Sequence, residues 1–220
     1  MTTIVTIDGP AGAGKTTISK RLAERLGFRY VDTGALYRAV ALAAKREGLG
    51  AENDNAVEKL LPTMTVDLPI DRPDAVLLNN EDVSGEIRTP AISKLASGLS
   101  AKPFVRNFLL SLQRQLGESK NAVFEGRDTG TVIFPHATVK FFLSATPEAR
   151  AKRRYLELVE KGMDVRLEDI ERDMILRDQN DSTRDLAPLK PAEDAILIDS
   201  TAMTMDEVVN QMAQIVTARL

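Results

Sequence analysis

An α/β fold, with a parallel sheet flanked by helices, is the class this sequence predicts, and three observations predict it. The β-branched run Thr3 to Ile7 leads straight into a glycine-rich stretch, Gly9 to Gly14, after which Thr16 to Leu26 follows helical periodicity. That order is strand, loop, helix. It recurs at once: Phe28 to Val31 reads as a strand, and Thr33 to Arg46 as a helix with Thr33 as its cap. Finally, Ala122 to Phe124, Val139 to Leu143 and Ala195 to Ile198 are apolar runs with helical segments between or after them. Strands covered on both faces have this composition.

One region breaks the rhythm. Between Met64 and Val83, the alternating runs Val66 to Ile70 and Val76 to Leu78 flank the turn sequence Asp71-Arg72-Pro73-Asp74, which predicts an antiparallel hairpin. We read the segment from about 60 to 100 as a lobe inserted into a single domain, 1–220, because 220 residues suit one α/β domain with room for an insertion. The chain is 43% hydrophobic and 28% charged, the balance of a globular protein. A formal net charge of -3 lacks the basic footprint of a protein that binds nucleic-acid polymers. There is no cysteine, which excludes disulfides and thiolate metal sites and fits a reducing cytoplasm. The first apolar run is cut off by Asp8 and has no basic residue before it, so it reads as a strand and not as a signal peptide, and no apolar stretch approaches the length expected of a membrane span.

Gly9-Pro10-Ala11-Gly12-Ala13-Gly14-Lys15-Thr16 matches G-x-x-x-x-G-K-[ST] and sits between a predicted strand and a predicted helix, the context in which this pattern is a phosphate-binding P-loop. Glycines let successive backbone N–H groups turn toward phosphate oxygens, and the start of the following helix adds its positive end. Lys15 brings a charge to the β- and γ-phosphates of ATP, the Thr16 hydroxyl is suited to Mg²⁺, and Thr17 completes the candidate nucleotide-binding set. A tight βα turn with no ligand is the bland alternative.

Among P-loop proteins, a regulatory GTPase would need N-K-x-D, which is absent, and a motor or transport ATPase would need an apolar strand ending in Asp-Glu. The nearest match, Ile196-Leu197-Ile198-Asp199, continues with Ser200 and reads as a core strand. What remains is phosphoryl transfer to a small acceptor, whose signature is arginine outside the loop to bind a second anion and the migrating charge. Arg38, Arg106, Arg127, Arg153, Arg154, Arg177 and Arg184 supply it.

At these residues the chain resembles a known family. Asp32-Thr33-Gly34-Ala35-Leu36-Tyr37-Arg38, Asp82-Val83-Ser84-Gly85-Glu86-Ile87-Arg88, Glu125-Gly126-Arg127-Asp128 and Arg177-Asp178 through Arg184 are similar to the bacterial cytidylate kinases, in the same order and over essentially the whole chain. The resemblance implies a monomeric, cytoplasmic phosphotransferase that moves the γ-phosphoryl of ATP, with Mg²⁺, onto CMP or dCMP. It implies a P-loop core, a nucleotide-binding insert and a short lid over about 150 to 167. Acceptor phosphate contacts fall on Arg38, Arg127 and Arg184, sugar contacts on Arg177 and Asp181, with Asp32 and Thr33 beside them. Ser97, Arg106 and Asp128 would read cytosine. Lys15, Arg127, Arg153, Arg177 and Arg184 would surround the migrating group. A kinase of the same fold acting on UMP or on a small hydroxy acid is the alternative, and a nucleotide-sensing regulatory module is the third reading.

Several of these residues have plainer roles to set beside the functional ones. Asp32 and Thr33 would cap a helix in any α/β protein, Asp128 could pair with Arg127, and Ser97 is a small polar residue near a helix end. His136, the only histidine, reads as a surface loop residue. Arg150, Lys152, Arg153 and Arg154 could be the solvated face of a helix, but helical spacing also puts Arg150 and Arg153 or Arg154 on neighbouring turns of one face, which suits a lid that turns at Lys161-Gly162-Met163.

Overall fold

The structure is a computed structural model that describes residues 2–70, 72, 74–160 and 162–220. The chain divides into two compact units, Met1–Tyr30 with Asn121–Leu220, and Val31–Lys120.

The first unit is built on β1 (Ile4–Asp8), β2 (Arg29–Asp32, of which Arg29 and Tyr30 belong here), β6 (Ala122–Gly126), β7 (Val139–Ser144) and β8 (Ile196–Asp199). They form one sheet in the order β2-β6-β1-β7-β8. The pairings of β1 with β6 and β7, and of β7 with β8, are parallel. All five residues of β1 and of β6 are buried, as expected for strands with neighbours on both sides. α1 (Lys15–Leu26) and α8 (Met205–Thr217) cover the sheet, and Ile18, Leu22, Val208, Met212 and Val216 interlock with Val5, Ile7, Val123, Phe141 and Leu143. α8 starts with a capping box, in which the Thr204 hydroxyl accepts from Glu207 N and the Glu207 carboxylate accepts from Thr204 N. α6 (Pro147–Glu160) packs on α7 (Leu167–Thr183) around a smaller cluster of Ala11, Ala151, Leu158, Ile170 and Met174. Between these helices Gly162 takes φ 74°, while Lys161 of the predicted lid turn lies outside the described residues. His136 is exposed.

In the second unit, α2 (Thr33–Arg46) is the buried centre, from Ala35 through Ala44, and α4 (Pro90–Leu99) and α5 (Pro103–Glu118) pack on it. α3 (Asp54–Leu60) precedes a small sheet of β3 (Val66–Asp67), β4 (Leu77–Leu78) and β5 (Glu81–Asp82). Two expectations are corrected here. The cap of α2 is Asp32, not Thr33: Asp32 has the extended φ/ψ a cap needs and its carboxylate accepts from Ala35 N at 3.0 Å, whereas Thr33 is already a buried helical residue. The predicted hairpin is real but shorter, since only Val66–Asp67 and Leu77–Leu78 pair, and Pro69 has no N–H to extend the ladder. Asp71 and Pro73 of its predicted turn lie outside the described residues. The third strand was not anticipated. It follows a two-residue turn in which Asn79 and Asn80 both take positive φ, 51° and 65°, the geometry of a tight hairpin of matching twist.

Met212 is fully buried where α8 meets α1 and the sheet, so Met212→Ala should remove about 2–5 kcal/mol of stability with little change in the urea m-value. A loss under 1 kcal/mol in urea unfolding would mean that this part of the core repacks freely.

Candidate active site

The parallel register sets Asp8 opposite Gly126 on one side and Phe142 on the other, so β1 and β6 end together while β7 runs two residues further, to Ser144, at the edge where open α/β sheets bind ligands. The glycine-rich loop begins there. Gly9 takes φ 149° and approaches so closely that a Cβ on it would lie 2.0 Å from the carbonyl oxygen of Leu143, a backbone atom that cannot move aside. Gly12 and Gly14, at φ 72° and 88°, complete the turn into α1.

Inside the loop, the Lys15 ammonium donates to the Pro10 carbonyl at 2.7 Å. Burial lowers the Lys15 pKa well below the ordinary lysine value, and the nearby charges of Arg127 and Arg177 push the same way, against Glu125 and Asp8. A cation held this unfavourably gains most from an arriving polyanion. Thr16 donates from its hydroxyl to Glu125 at 2.8 Å, and Tyr30 donates to the other Glu125 oxygen at 2.8 Å. Asp8, at the end of β1, accepts from Thr129 N, the Thr129 hydroxyl and Gly130 N at 2.9, 2.7 and 2.8 Å. Burial raises its pKa against these bonds. They fix the π-helical turn Thr129–Ile133, and with it the segment that carries Arg127 and Asp128.

The arginines of this unit form an alternating chain. Arg127 Nε donates to Asp181 at 3.3 Å, Arg184 lies 3.9 Å from the other Asp181 oxygen, and Arg184 also lies 3.6 Å from Asp128. Asp128 therefore pairs with Arg184 and not with Arg127. Arg184 and Asp128 are both buried at the side chain, 8% and 7% exposed. Arg177 is half-buried on α7, one turn before Asp181.

The basic run at the start of α6 does not act as one face. Arg150 is buried, and its guanidinium donates to the Ala11 and Ala145 carbonyls and to Asp178. Arg153 donates to the Ser200 hydroxyl and carbonyl, 3.1 and 2.6 Å. Arg154 pairs with Glu157 on the surface. The reason is tertiary: Arg150 and Arg153 lie one turn apart, but each guanidinium meets a different acceptor, Arg150 on the glycine-rich loop, Arg153 just after β8 and Arg154 on α6 itself.

The second unit holds its own group of predicted residues. Arg38 donates to Asp32 at 2.7 Å, and its Nε is buried with no hydrogen-bond partner. Arg106 donates to the Ser100 carbonyl at 3.1 Å and lies over the Tyr37 ring at 5.8 Å. Ser97 is half-buried on α4, and its carbonyl accepts from the Ser100 hydroxyl.

Sequence reasoning missed Asp8, Glu125 and Asp178 as site residues and gave Arg150 to a lid. Asp8 and Glu125 each end or nearly end a central strand beside the loop, a position that could have flagged them. Asp178 meets Arg150 only through packing of α6 on α7 and carried no such signal.

A parallel sheet whose first strand feeds a glycine-rich loop and helix, with a buried lysine and flanking arginines at the carboxyl edge, defines a kinase of the P-loop class. A sequence profile described as Cytidylate kinase matches residues 5–218. A cytidylate kinase of Syntrophotalea carbinolica is 53% identical over 217 residues, 98% of this chain and 92% of the relative. One from Geobacter sulfurreducens is 49% identical over 98% of this chain and 93% of its own length. Among solved structures, a gluconokinase of Sinorhizobium meliloti shares the fold with a TM-score of 0.51 at 12% identity, covering 99% of this chain and 92% of that one. The chain belongs to the cytidylate kinase family. Among the described residues, no helix is long and apolar enough to cross a membrane.

Replacing Gly9 with Ala combines a backbone clash with a conformation that L residues avoid, and should destabilise the protein by about 3 kcal/mol or more. Thermal unfolding of Gly9→Ala checks this; an unchanged midpoint would mean that β7 yields to the loop.

Proposed function

We propose that this protein transfers the γ-phosphoryl group of ATP to CMP or dCMP, giving ADP and CDP or dCDP, by direct in-line transfer. The observation that carries the reading is Lys15: a buried ammonium in a glycine-rich loop, its charge opposed by Arg127 and Arg177, in a chain of the cytidylate kinase family. Phosphoryl transfer needs little covalent chemistry from the protein and much positioning of charge.

Gly9 to Gly14 and the N–H groups opening α1 would cradle the ATP phosphates, with Lys15 leaving Pro10 to reach the β- and γ-oxygens. Among the described residues no cluster of His, Cys, Asp or Glu could hold a metal alone, so Mg²⁺ would arrive with the nucleotide. The residues fit that group, because the Thr16 hydroxyl and the Glu125 carboxylate offer the hard oxygen donors Mg²⁺ prefers while it keeps several waters. Thr16 would hold it directly, and the ion would draw charge from the phosphate oxygens. Arg127 and Arg184 of the first unit and Arg38 of the second would take the acceptor phosphate, and Arg177 and Asp181 the sugar. Ser97, Arg106 and Asp128 would read the base. Arg153 would have to leave Ser200 to meet the migrating group. We assign the insert at about 60–100 to monophosphate binding and the segment of about 150–167 to the lid, which Arg150, Ala151 and Leu158 would anchor as its buried residues. Lid closure would keep water from taking the phosphoryl group.

ADP release from Mg-ATP across CMP, dCMP, UMP, AMP, GMP, dTMP and shikimate tests the reading. We expect CMP and dCMP to lead. Lys15→Met in the same assay should lose at least about 10²-fold in kcat with the fold intact. Near-normal turnover of that variant, or preference for another acceptor, would refute the proposal.

Asp128 gives the base-specific test. An ionised carboxylate only accepts hydrogen bonds, so it favours the amino group of cytosine over the oxygen of uracil. Asparagine can also donate. In Asp128→Asn the ratio of kcat/KM for CMP over UMP should therefore fall at least about tenfold. A constant ratio with lower overall activity would assign Asp128 to holding Arg184 instead.

A further inference from the structure

The phosphate loop is gripped from outside at one residue. Both polar backbone groups of Ala11 are taken by side chains of the α6–α7 pair: its N–H donates to Asp178 Oδ1 at 3.3 Å, and its carbonyl accepts from Arg150 Nη1 at 2.9 Å. Arg150 and Asp178 also pair with each other, and Arg150 Nε is anchored on the Ala145 carbonyl at 3.0 Å. The apolar side of the grip is Ala11 itself, packed with Ala151, Leu158, Ile170 and Met174. The next residue fits as closely, since a Cβ on Gly12 would meet the Met174 methyl at 2.5 Å and Arg150 atoms at 3.1 and 3.2 Å.

The two bonds act on two successive peptide planes. The Ala11 N–H belongs to the plane shared with Pro10, and the Ala11 carbonyl to the plane shared with Gly12. In a trans peptide the carbonyl and the following N–H point in opposite directions, so tying the Ala11 oxygen to Arg150 also fixes where the Gly12 N–H points. Without that tie the plane borders a glycine at φ 72° and could turn over at small steric cost. A cradle whose donors must all face one anion depends on preventing such a turn.

We propose that Arg150 and Asp178 are positioning residues for phosphoryl transfer: by holding both backbone groups of Ala11, they set the direction of the loop's donors and keep the loop in register with α7, which carries Arg177 and Asp181. The proposal rests on the kinase reading above. Neither side chain need touch a substrate. The register matters because Asp178 is one residue from Arg177 and nearly one turn from Asp181 on the same helix, so the loop and the arginine group share one mount.

The chemistry of the pair dictates informative variants. In Asp178→Asn the amide has one oxygen for two donors, Ala11 N–H and Arg150, so whichever way it turns its own NH₂ faces a donor and one bond is lost. Asp178→Glu keeps the charge but moves the carboxylate by one methylene. Arg150→Met keeps the apolar stem and removes every donor.

Binding of Mg-ADP by titration calorimetry, with kcat and the KM for CMP, reads the outcome. We expect each single variant to weaken ADP binding about tenfold or more and to lower kcat similarly, with the KM for CMP within about twofold. The pair Arg150→Met with Asp178→Asn should be no worse than the worse single variant by more than about twofold, since both act through one residue. Unchanged ADP affinity in Asp178→Asn would overturn the proposal, as would wild-type behaviour of Asp178→Glu, which would reduce the carboxylate to a counter-charge. Losses that multiply in the double variant, or that appear in the KM for CMP, would overturn it as well. If Arg150→Met does not fold, the two Asp178 variants decide alone. Failure of the wild type to phosphorylate CMP would remove the kinase reading, while the ADP titrations would still decide the grip.

Discussion

Burial of positive charge governs this site. Under the proposed function the centre must gather positive charge before a polyanion arrives, and Arg127 and Arg177 are near enough to oppose the charge of the buried Lys15. The chain does not dilute that charge; it interleaves carboxylates. Asp181 stands between Arg127 and Arg184, Asp128 closes the far side of Arg184, and Glu125 and Asp8 favour the charged lysine. Under the proposed function each pair in the arginine chain, at 3.3 to 3.9 Å, would give way to a phosphate. The same logic recurs in the second unit, where Arg38 is held by Asp32 through one nitrogen while its Nε stays without a partner.

The scaffold serves that arrangement through register. Because β1 and β6 run side by side from Ile4 and Ala122, Asp8 and Gly126 reach the same edge together, and the residues after each strand are neighbours without being close in sequence. Asp8 then bonds the turn that follows Arg127 and Asp128, linking the end of the first strand to the start of the arginine group. Burial opposes ionisation of that carboxylate, and three donors favour it, so the bond network is what makes an acid tolerable at the centre of the sheet.

What the sequence made legible was what depends on short-range order. The loop of Gly9 to Thr16 is a contiguous pattern with one physical purpose, and the parallel strands announced themselves as apolar runs whose length and spacing admit few other readings. The two-residue turn at Asn79-Asn80 was equally local and could have been read, had positive φ at consecutive asparagines been considered. The destinations of Arg150, Arg153 and Arg154 could not. Three arginines within five positions look alike in a sequence, and only the packing of α6 against α7 and the end of β8 decides that one enters the core, one finds Ser200 and one stays on the surface. The roles of Asp128 and Asp181 likewise depend on which arginine each meets across long sequence separations.

The contrast between Gly9 and Gly12 bears on how such a loop can drift over generations. At Gly9 an added methyl would strike a backbone oxygen in the middle of a sheet, so no neighbouring substitution can make room for it. At Gly12 the nearest obstacle is the tip of a methionine, which a shorter side chain at position 174 would remove, with only a slight retreat of α6 still required. Residue 12 is therefore open to exploration in lineages that first change residue 174, asparagine being the side chain that best tolerates its left-handed backbone. Residue 9 has no such permissive route, and its identity is set by the sheet rather than by the nucleotide.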